Sequence, residues 1–251
     1  MSPIAAGCIV LVCVFGGALL GMAIHTILPE HHMSSESKDV IKLGMGLIAT
    51  MSALVLALLT NSAKGSYDAQ RSEITQAAAN IILVDRVLAH YGPETKEARD
   101  LLKLSVASMI DRTWPSDRIG NAKLGPTTAG AEMFFDKIQE LTPQNDVQRS
   151  LQAEAVRMSI EIGQARLLLF EQSGRSIPMP FLVLLIFWVT VIFLSFGLFA
   201  PRNATVVATL FLCALSVSGA IFLIMELDRP FGGFIQISSA PLRSAMASIG
   251  K

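Results

Sequence analysis

A stripe of small and weakly polar residues recurs every three or four positions in one otherwise apolar run of the sequence. Its members are Gly46, Thr50, Leu54, Ala57 and Asn61. Spacings of three and four residues place side chains on one side of an α-helix. In a membrane, small residues let two helices approach closely, and weakly polar residues also suit the wall of a water-filled pore. The residues alone leave both interpretations open.

Charged side chains provide two further candidate groups. Lys64 and Asp68 continue near the line of the stripe, where charge would concentrate ions at the end of a pore. Glu226, Asp228 and Arg229 form a second cluster, which has no nucleophile or histidine beside it. An ion pair at a helix end explains this cluster better than catalysis, so we expect no catalytic site and no enzyme.

The histidines and cysteines predict neither a metal site nor a disulfide. His31 and His32 are adjacent, a spacing that suits no chelating pair, and an exposed loop is the simpler interpretation. Cys8, Cys13 and Cys213 lie in apolar runs and are interpreted as small packing residues. We expect no metal and no cofactor.

Four long stretches of the sequence contain no charged residue, and the structural elements that they form must position the residues named above. The chain has 251 residues, of which 52% are hydrophobic and 16% are charged. Fourteen of the 20 Lys and Arg and 15 of the 20 Asp and Glu lie between residues 64 and 175. The charge-free runs exceed the roughly 20 residues that a membrane-crossing helix needs, and they cover residues 3–28, 43–63, 177–201 and 203–225. The first run has no basic residue before it and is too long for a signal peptide, so we interpret it as a span.

The region between spans two and three is predicted to consist of helices exposed to water. One apolar seam recurs at spacings of three and four residues, and it comprises Ile74, Ala77, Ile81, Val84, Leu88 and Tyr91. This seam packs either within one chain or between subunits. Further helices are expected from Pro93 to about residue 112, over about 128–141, and from a cap at Thr142 to about residue 174. A polar loop is expected over residues 116–127.

The predicted fold is therefore an all-α integral membrane protein. Four transmembrane helices flank a helical cytoplasmic region between spans two and three. We expect this order of regions: a first transmembrane pair over residues 1–63, the cytoplasmic region over 64–176, a second pair over 177–225 and a cytoplasmic tail over 226–251.

Orientation follows from basic residues near the spans, which concentrate on the cytoplasmic side. Lys64, Arg71 and Arg229 place the middle region and both termini there, whereas Lys38 and Lys42 argue in the other direction. The expected location is the inner (plasma) membrane of a bacterium, with several spans.

Two segments resemble the bestrophin anion channels, particularly the bacterial ones. Residues 54–73, LVLALLTNSAKGSYDAQRSE, resemble the end of the second bestrophin helix, where an Asn precedes a Tyr-Asp pair and a basic residue. Residues 226–232, ELDRPFG, resemble the bestrophin segment acidic-x-acidic-x-Pro-Phe-Gly. Pro241 and Leu242 stand where that family often has Pro-Leu. Over nearly its full length the chain is similar to the bestrophin-like family of bacterial membrane proteins.

The resemblance implies an oligomeric ion channel, a pentamer, whose pore is lined by the second span. Counted back from Tyr67, the bestrophin constriction falls on Gly46, Thr50 and Leu54, within the stripe defined by spacing. A junction between the pore helix and the cytoplasmic region is implied for Lys64, Tyr67, Asp68 and Arg71. A tail folded back against that junction is implied for Glu226, Asp228, Arg229, Pro230, Phe231 and Gly232.

The chain also departs from the bestrophin pattern. Two of the three constriction positions hold small residues in place of bulky apolar ones, so ion selectivity stays open. Residues 233–239 contain no carboxylate, and we therefore expect no calcium site there.

The alternative to a channel is a non-conducting membrane scaffold or sensor, whose cytoplasmic helices bind a partner protein. A carrier is disfavoured because no repeat and no broken helix is evident. The expected partners are the lipid bilayer, inorganic ions and further copies of the chain. The net charge is zero, which gives no reason to expect nucleic acid.

Overall fold

The computed structural model describes residues 2–27, 35–114, 129–172 and 177–250. Within these ranges the chain is helical and contains no strand, and four of the helices are long and apolar enough to cross a membrane. The predicted all-α fold with four spans is confirmed. The helices are α1 Pro3–His25, α2 Ser35–Tyr91, α3 Lys96–Thr113, α4 Ala129–Gln139, α5 Asp146–Gln172, α6 Met179–Phe199, α7 Ala204–Leu227 and α8 Ala240–Ser248, with a 3-10 turn at Pro93–Thr95.

The chain divides into two compact units. The span unit comprises Met1–Gly65 and Ser176–Asp228, and the helical unit comprises Ser66–Arg175 and Arg229–Lys251. The division falls inside α2, which is one helix of 57 residues. From the sequence, a span ending near Ala63 and a second helix starting at Ser66 are expected. The helix instead continues because no proline interrupts it, and Gly65 alone costs a helix only about 1 kcal/mol.

The helical unit is built around the predicted seam of α2. All six seam residues are buried, including Ile81, Val84 and Leu88, which are fully inaccessible. Ile74, Ile81, Val84 and Leu88 share one apolar cluster with residues of α3, α4, α5 and α8, among them Leu102, Ile138, Ala155 and Leu242. The interpretation of the seam as packing within one chain is confirmed.

The start of α5 differs from the prediction. The helix begins at Asp146, and Asn145 caps it, since its Oδ1 accepts a hydrogen bond from the Gln148 backbone amide at 2.8 Å. The sequence predicts Thr142 as the cap, but Asn is a better N-cap residue than Thr, and Asn145 directly precedes the first helical residue. The spacing of apolar residues also places Val147 on one stripe of this helix with Leu151 and Ala155. Ala155 is buried, but Val147 is 68% exposed. The predicted loop 116–127 lies outside the described residues.

In the span unit, α1 and α6 approach so closely that only glycine fits at two points. A Cβ atom added at Gly197 would lie 1.9 Å from the Ala18 carbonyl oxygen, and one added at Gly21 would lie 2.0 Å from the Leu194 carbonyl oxygen. Small residues permit this contact between backbones in a membrane, where packing replaces the hydrophobic effect as the driving force.

Helix α1 is an integral part of the span unit. Val10, Val14 and Ala18 are buried within its apolar cluster. On the side of α7, the Ser218 hydroxyl donates a buried hydrogen bond of 2.7 Å to the Gly7 carbonyl. These contacts support the interpretation of the first run as a membrane span. The three cysteines, interpreted as small packing residues, are free thiols on the surface of the single chain, so they do not pack within it.

Candidate functional site

The stripe of the second span lies on the surface of the span unit. Gly46, Thr50, Leu54, Ala57 and Asn61 are all exposed. The residues of α2 that face the rest of this unit are Met45, Ile48, Ser52, Val55, Leu56, Leu59 and Ala63. At 3.6 residues per turn, the stripe lies on the side of the helix opposite to these buried positions.

The second span is also the least buried of the four. Only 11% of its most apolar window is buried inside the chain, compared with 39% for α1 and α6 and 28% for α7. Leu43, Leu47, Leu54 and Leu58 are each at least 60% exposed. A helix with so little contact to its own chain must meet another surface, either lipid or protein.

The polar atoms of the stripe suit contact with a hydrated ion. The Thr50 hydroxyl donates its hydrogen to the Leu47 carbonyl at 2.8 Å, which leaves the hydroxyl oxygen free to accept from outside the helix. Asn61 adds an exposed amide with both donors and an acceptor. Between Gly46 and Asn61 the helix carries no charged side chain. The stripe can therefore replace water around an ion, but it carries no fixed charge that selects the sign of the ion.

Charge begins on α2 just beyond the stripe. Lys64, Asp68 and Arg71 are exposed, and helical spacing keeps Lys64 and Asp68 near the line of the stripe. The junction between the pore helix and the cytoplasmic region that the resemblance implies for Asp68 and Arg71 stays a prediction.

Tyr67 does meet the tail. In the helical unit its hydroxyl donates a long hydrogen bond of 3.4 Å to the Gln236 carbonyl. The tail segment between Arg229 and Ile237 is closed on itself, since the Gly232 amide donates to the Arg229 carbonyl at 3.2 Å and the Ile237 amide donates to the Pro230 carbonyl at 2.8 Å. Pro230 is buried at this closure.

Trp114, at the end of α3, fixes this tail loop from the other side. Its indole N–H donates to the Ile237 carbonyl at 2.7 Å. Its ring meets Phe231 edge to face, with ring centroids 5.5 Å apart, and Phe231 is buried in the same apolar cluster. The tail loop that contains the Pro-Phe-Gly segment is thus held by hydrogen bonds from Tyr67 to Gln236 and from Trp114 to Ile237, and by the aromatic pair of Trp114 with Phe231.

The acidic residues of the motif before this loop end α7 in the span unit. Glu226 is buried, at 1% exposure. Asp228 is the C-terminal cap residue, and its backbone amide donates to the Ile224 carbonyl at 3.2 Å. A buried carboxylate at the end of a membrane helix requires polar neighbours, which agrees with a structural position rather than with a site open to substrate.

Sequence reasoning missed the residues that anchor the tail. Trp114-Pro115 indicates only the end of a helix, and nothing in the sequence connects Trp114 with Ile237. A buried ion pair was also missed: Arg99 binds both carboxylate oxygens of Asp85, at 2.7 and 3.1 Å, in the helical unit.

Metal ligands do not gather in the part of the chain that the structure describes, where no group of three or more His, Cys, Asp and Glu side chains could hold an ion. His31 and His32 lie outside the described residues.

Four apolar helices define the chain as a multi-pass membrane protein of the all-α class. Its family follows from a comparison with family models: the Bestrophin-like domain matches residues 12–242, and the chain therefore belongs to the bestrophin-like family. No curated protein and no solved structure matches the chain.

Proposed function

We propose that the protein is an oligomeric ion channel whose pore is lined by α2 between Gly46 and Asn61. The observation that carries this proposal is the exposed, uncharged stripe on the side of α2 that faces away from its own chain. If copies of α2 surround a common axis, the stripes face water and the apolar positions beside them contact neighbouring copies or lipid. Membership in the bestrophin-like family, whose proteins are generally channels rather than enzymes, supports the same function.

The remaining parts of the proposal follow from this pore. Inorganic ions pass through the central pore that the copies surround. The number of subunits, five, is inferred from the resemblance to bestrophins alone. Residues 64–176 and the tail 226–251 lie on the cytoplasmic side of a bacterial inner membrane, with both termini, by the distribution of Lys and Arg. Lys64, Tyr67, Asp68 and Arg71 form the cytoplasmic end of the pore helix.

The scaffold alternative loses its main support. It requires an exposed apolar surface on the middle helices for a partner protein, and the seam of α2 was the candidate. Ile74, Ile81 and Leu88 are instead fully buried within the helical unit. An ion channel therefore remains the better explanation of the exposed stripe on the second span.

Cysteine accessibility tests which side of α2 faces the pore. The three exposed native cysteines are first replaced by alanine, and single cysteines are then introduced at Thr50, Asn61 or Met51. In liposomes, a charged methanethiosulfonate reagent should reduce ion flux through the Thr50→Cys and Asn61→Cys variants, because a bulky charged group would enter the water-filled path. Met51→Cys is the matched control, since Met51 is exposed beside Thr50 but lies about 100° further around the helix.

Two results would count against the proposal. The first is wild-type flux no greater than that of empty liposomes, under varied ions and potentials. The second is a reagent effect at Met51 with none at Thr50 and Asn61. Chemical cross-linking of the same samples records whether the chain is oligomeric, so that loss of assembly is distinguished from block of a pore.

A further inference from the structure

An open cavity of about 530 Å³ lies at one end of the span unit, away from the candidate pore stripe. It is lined by the last residues of α1, by the turn between α6 and α7, and by the first turns of α7. Met22, Ala23, Ala204 and Val207 form its apolar wall, whereas its polar lining comes from Thr26, Arg202 and Asn203.

The cavity lies at the depth of lipid headgroups. Helix α6 has 21 residues, and at about 1.5 Å per residue it spans roughly 32 Å, close to the thickness of the hydrocarbon core. Arg202 stands between the end of α6 at Phe199 and the start of α7 at Ala204. Its guanidinium is therefore at the boundary between hydrocarbon and headgroups, with the apolar wall of the cavity on the hydrocarbon side.

Among the residues that the structure describes, the charged lining of the cavity is Arg202 alone. Arg202 is the only Lys or Arg in residues 2–27 and 177–228, and the cavity lining contains no Asp or Glu. One guanidinium N–H of Arg202 donates to the Met22 carbonyl at the end of α1, which fixes the side chain over the cavity. A guanidinium has five N–H donors in a planar fork that matches phosphate oxygens, so donors remain for a ligand.

We propose that this cavity binds an anionic phospholipid, with its phosphate on Arg202 and the start of an acyl chain against Met22 and Val207. The positive charge of Arg202, with no carboxylate among the described lining residues, favours a headgroup with net negative charge over a zwitterionic one. The apolar wall favours a lipid over free phosphate, which has nothing to place there. The inference does not depend on ion conduction.

Native mass spectrometry of the full-length protein tests the site. Protein in detergent micelles that contain phosphatidylglycerol should retain one such lipid per protomer, and retain phosphatidylcholine much less. Arg202→Gln should weaken retention about tenfold or more, because a charge-assisted hydrogen bond is lost. Ala204→Leu should do the same by filling the cavity while leaving Arg202 and its bond to Met22 in place.

Lys42→Gln is the matched control, because it removes an exposed positive charge at the start of the second span that does not line the cavity. It should retain phosphatidylglycerol as the wild type does. Circular dichroism establishes that each variant is folded. Equal retention by wild type, Arg202→Gln and Ala204→Leu would overturn the proposal, as would equal retention of phosphatidylcholine. Release of the lipid by millimolar sodium phosphate would assign the site to free phosphate and would overturn it as well.

Discussion

The indole of Trp114 and the backbone carbonyl of Ile237 form a hydrogen bond of 2.7 Å between residues separated by 123 positions in the sequence. Ile237 is 2% exposed, so water cannot take the place of the indole donor. This bond closes the tail loop that contains the Pro-Phe-Gly motif onto the end of α3.

Trp114→Phe should destabilise the protein without removing the aromatic pair. The variant keeps an aromatic ring against Phe231 but leaves the buried Ile237 carbonyl without its donor. We expect the free energy of unfolding to fall by about 1–3 kcal/mol, the usual cost of a buried polar group that loses its partner. Thermal or denaturant unfolding in detergent, followed by far-UV circular dichroism, measures the change.

Tyr67→Phe is the comparison for that experiment. It removes the hydroxyl that donates to the carbonyl of Gln236, which directly precedes Ile237. The distance of this hydrogen bond is 3.4 Å, much longer than the 2.7 Å of the indole bond. Hydrogen bonds of this length are weak, and Gln236 is exposed to water. We expect a smaller loss than for Trp114→Phe; an equal or larger loss for Tyr67→Phe would show that the indole bond is not the main anchor of the tail.

The sequence predicts the buried side of α2 well, although not its continuity through Gly65, because the rule involved is local. Within each unit the buried positions recur at helical spacing, such as Leu59 and Ala63 in the span unit and Ile74, Ile81 and Leu88 in the helical unit, and spacing alone reveals this repeat. The same spacing places the candidate stripe, of which Thr50 and Asn61 are members, on the exposed side.

The contacts that the sequence did not reveal join distant segments. Trp114 and Ile237, Asp85 and Arg99, and the glycine contacts of α1 with α6 each depend on how helices are placed in space. Periodicity identifies the buried side of a helix but not the partner that it meets. The same limit applies to the cysteines. Their apolar surroundings indicate packing residues, but a membrane helix exposes apolar residues to lipid as well.

Gly197→Ala should disrupt the packing of α1 on α6. The added methyl group would lie 1.9 Å from the Ala18 carbonyl oxygen, and backbone atoms on both helices cannot move aside without separating the pair. We expect a loss of at least about 1–3 kcal/mol, the usual cost of overpacking, or failure to accumulate as folded protein. Unfolding in detergent and yield from membranes measure it.

Gly219→Ala in α7 serves as the control for this substitution. Nothing lies within 4 Å of a Cβ atom at Gly219, and alanine favours helix by up to about 1 kcal/mol over glycine. This variant should be neutral or slightly more stable. Equal destabilisation by both substitutions would argue against close packing at Gly197.

Arg99→Ala should be costly because it leaves a buried carboxylate alone. The Asp85 side chain is 4% exposed and the Arg99 side chain 21%, and Asp85 also accepts from the Gly250 backbone amide at 3.4 Å. Removing one partner of a buried ion pair costs about 3–5 kcal/mol. Arg99→Lys should recover part of the lost free energy of unfolding, since lysine keeps the charge but not the two parallel hydrogen bonds.

Arg149→Ala is the control for this prediction. The ion pair of Arg149 with Asp146 is almost fully exposed, so it should contribute less than about 1 kcal/mol.

The stabilisation by Arg99 should not depend on pH over the neutral range. The hydrogen bond to Asp85 raises the pKa of the Arg99 guanidinium above its ordinary value. A raised pKa in the folded protein means that its contribution is complete below the ordinary arginine pKa and is lost only at higher pH. The difference in unfolding free energy between wild type and Arg99→Ala should therefore be equal at pH 7 and pH 9. A smaller difference in unfolding free energy at pH 9 than at pH 7 would contradict this assignment.

Asn61→Asp should shift ion selectivity if the stripe lines a pore. The stripe carries no charge from Gly46 to Asn61, so a new carboxylate would dominate the local field. A unit charge about 4 Å from a passing ion contributes about 1 kcal/mol even in bulk water, which corresponds to roughly fivefold in relative permeability. In asymmetric salt, Asn61→Asp should move the reversal potential toward the equilibrium potential of the cation. Asn61→Lys should move it toward the equilibrium potential of the anion.

Ser62→Asp separates an effect of the pore from an effect of charge in general. Ser62 is exposed one position further along α2, but about 100° around the helix from Asn61. Ser62→Asp adds the same charge as Asn61→Asp at nearly the same depth. Because its carboxylate does not face the ion path, the reversal potential should stay close to the wild-type value. Equal shifts at both positions would mean that surface charge near the membrane, rather than the stripe, sets the measured selectivity. Unchanged reversal potentials in both Asn61 variants, with wild-type flux intact, would place the ion path elsewhere than along α2.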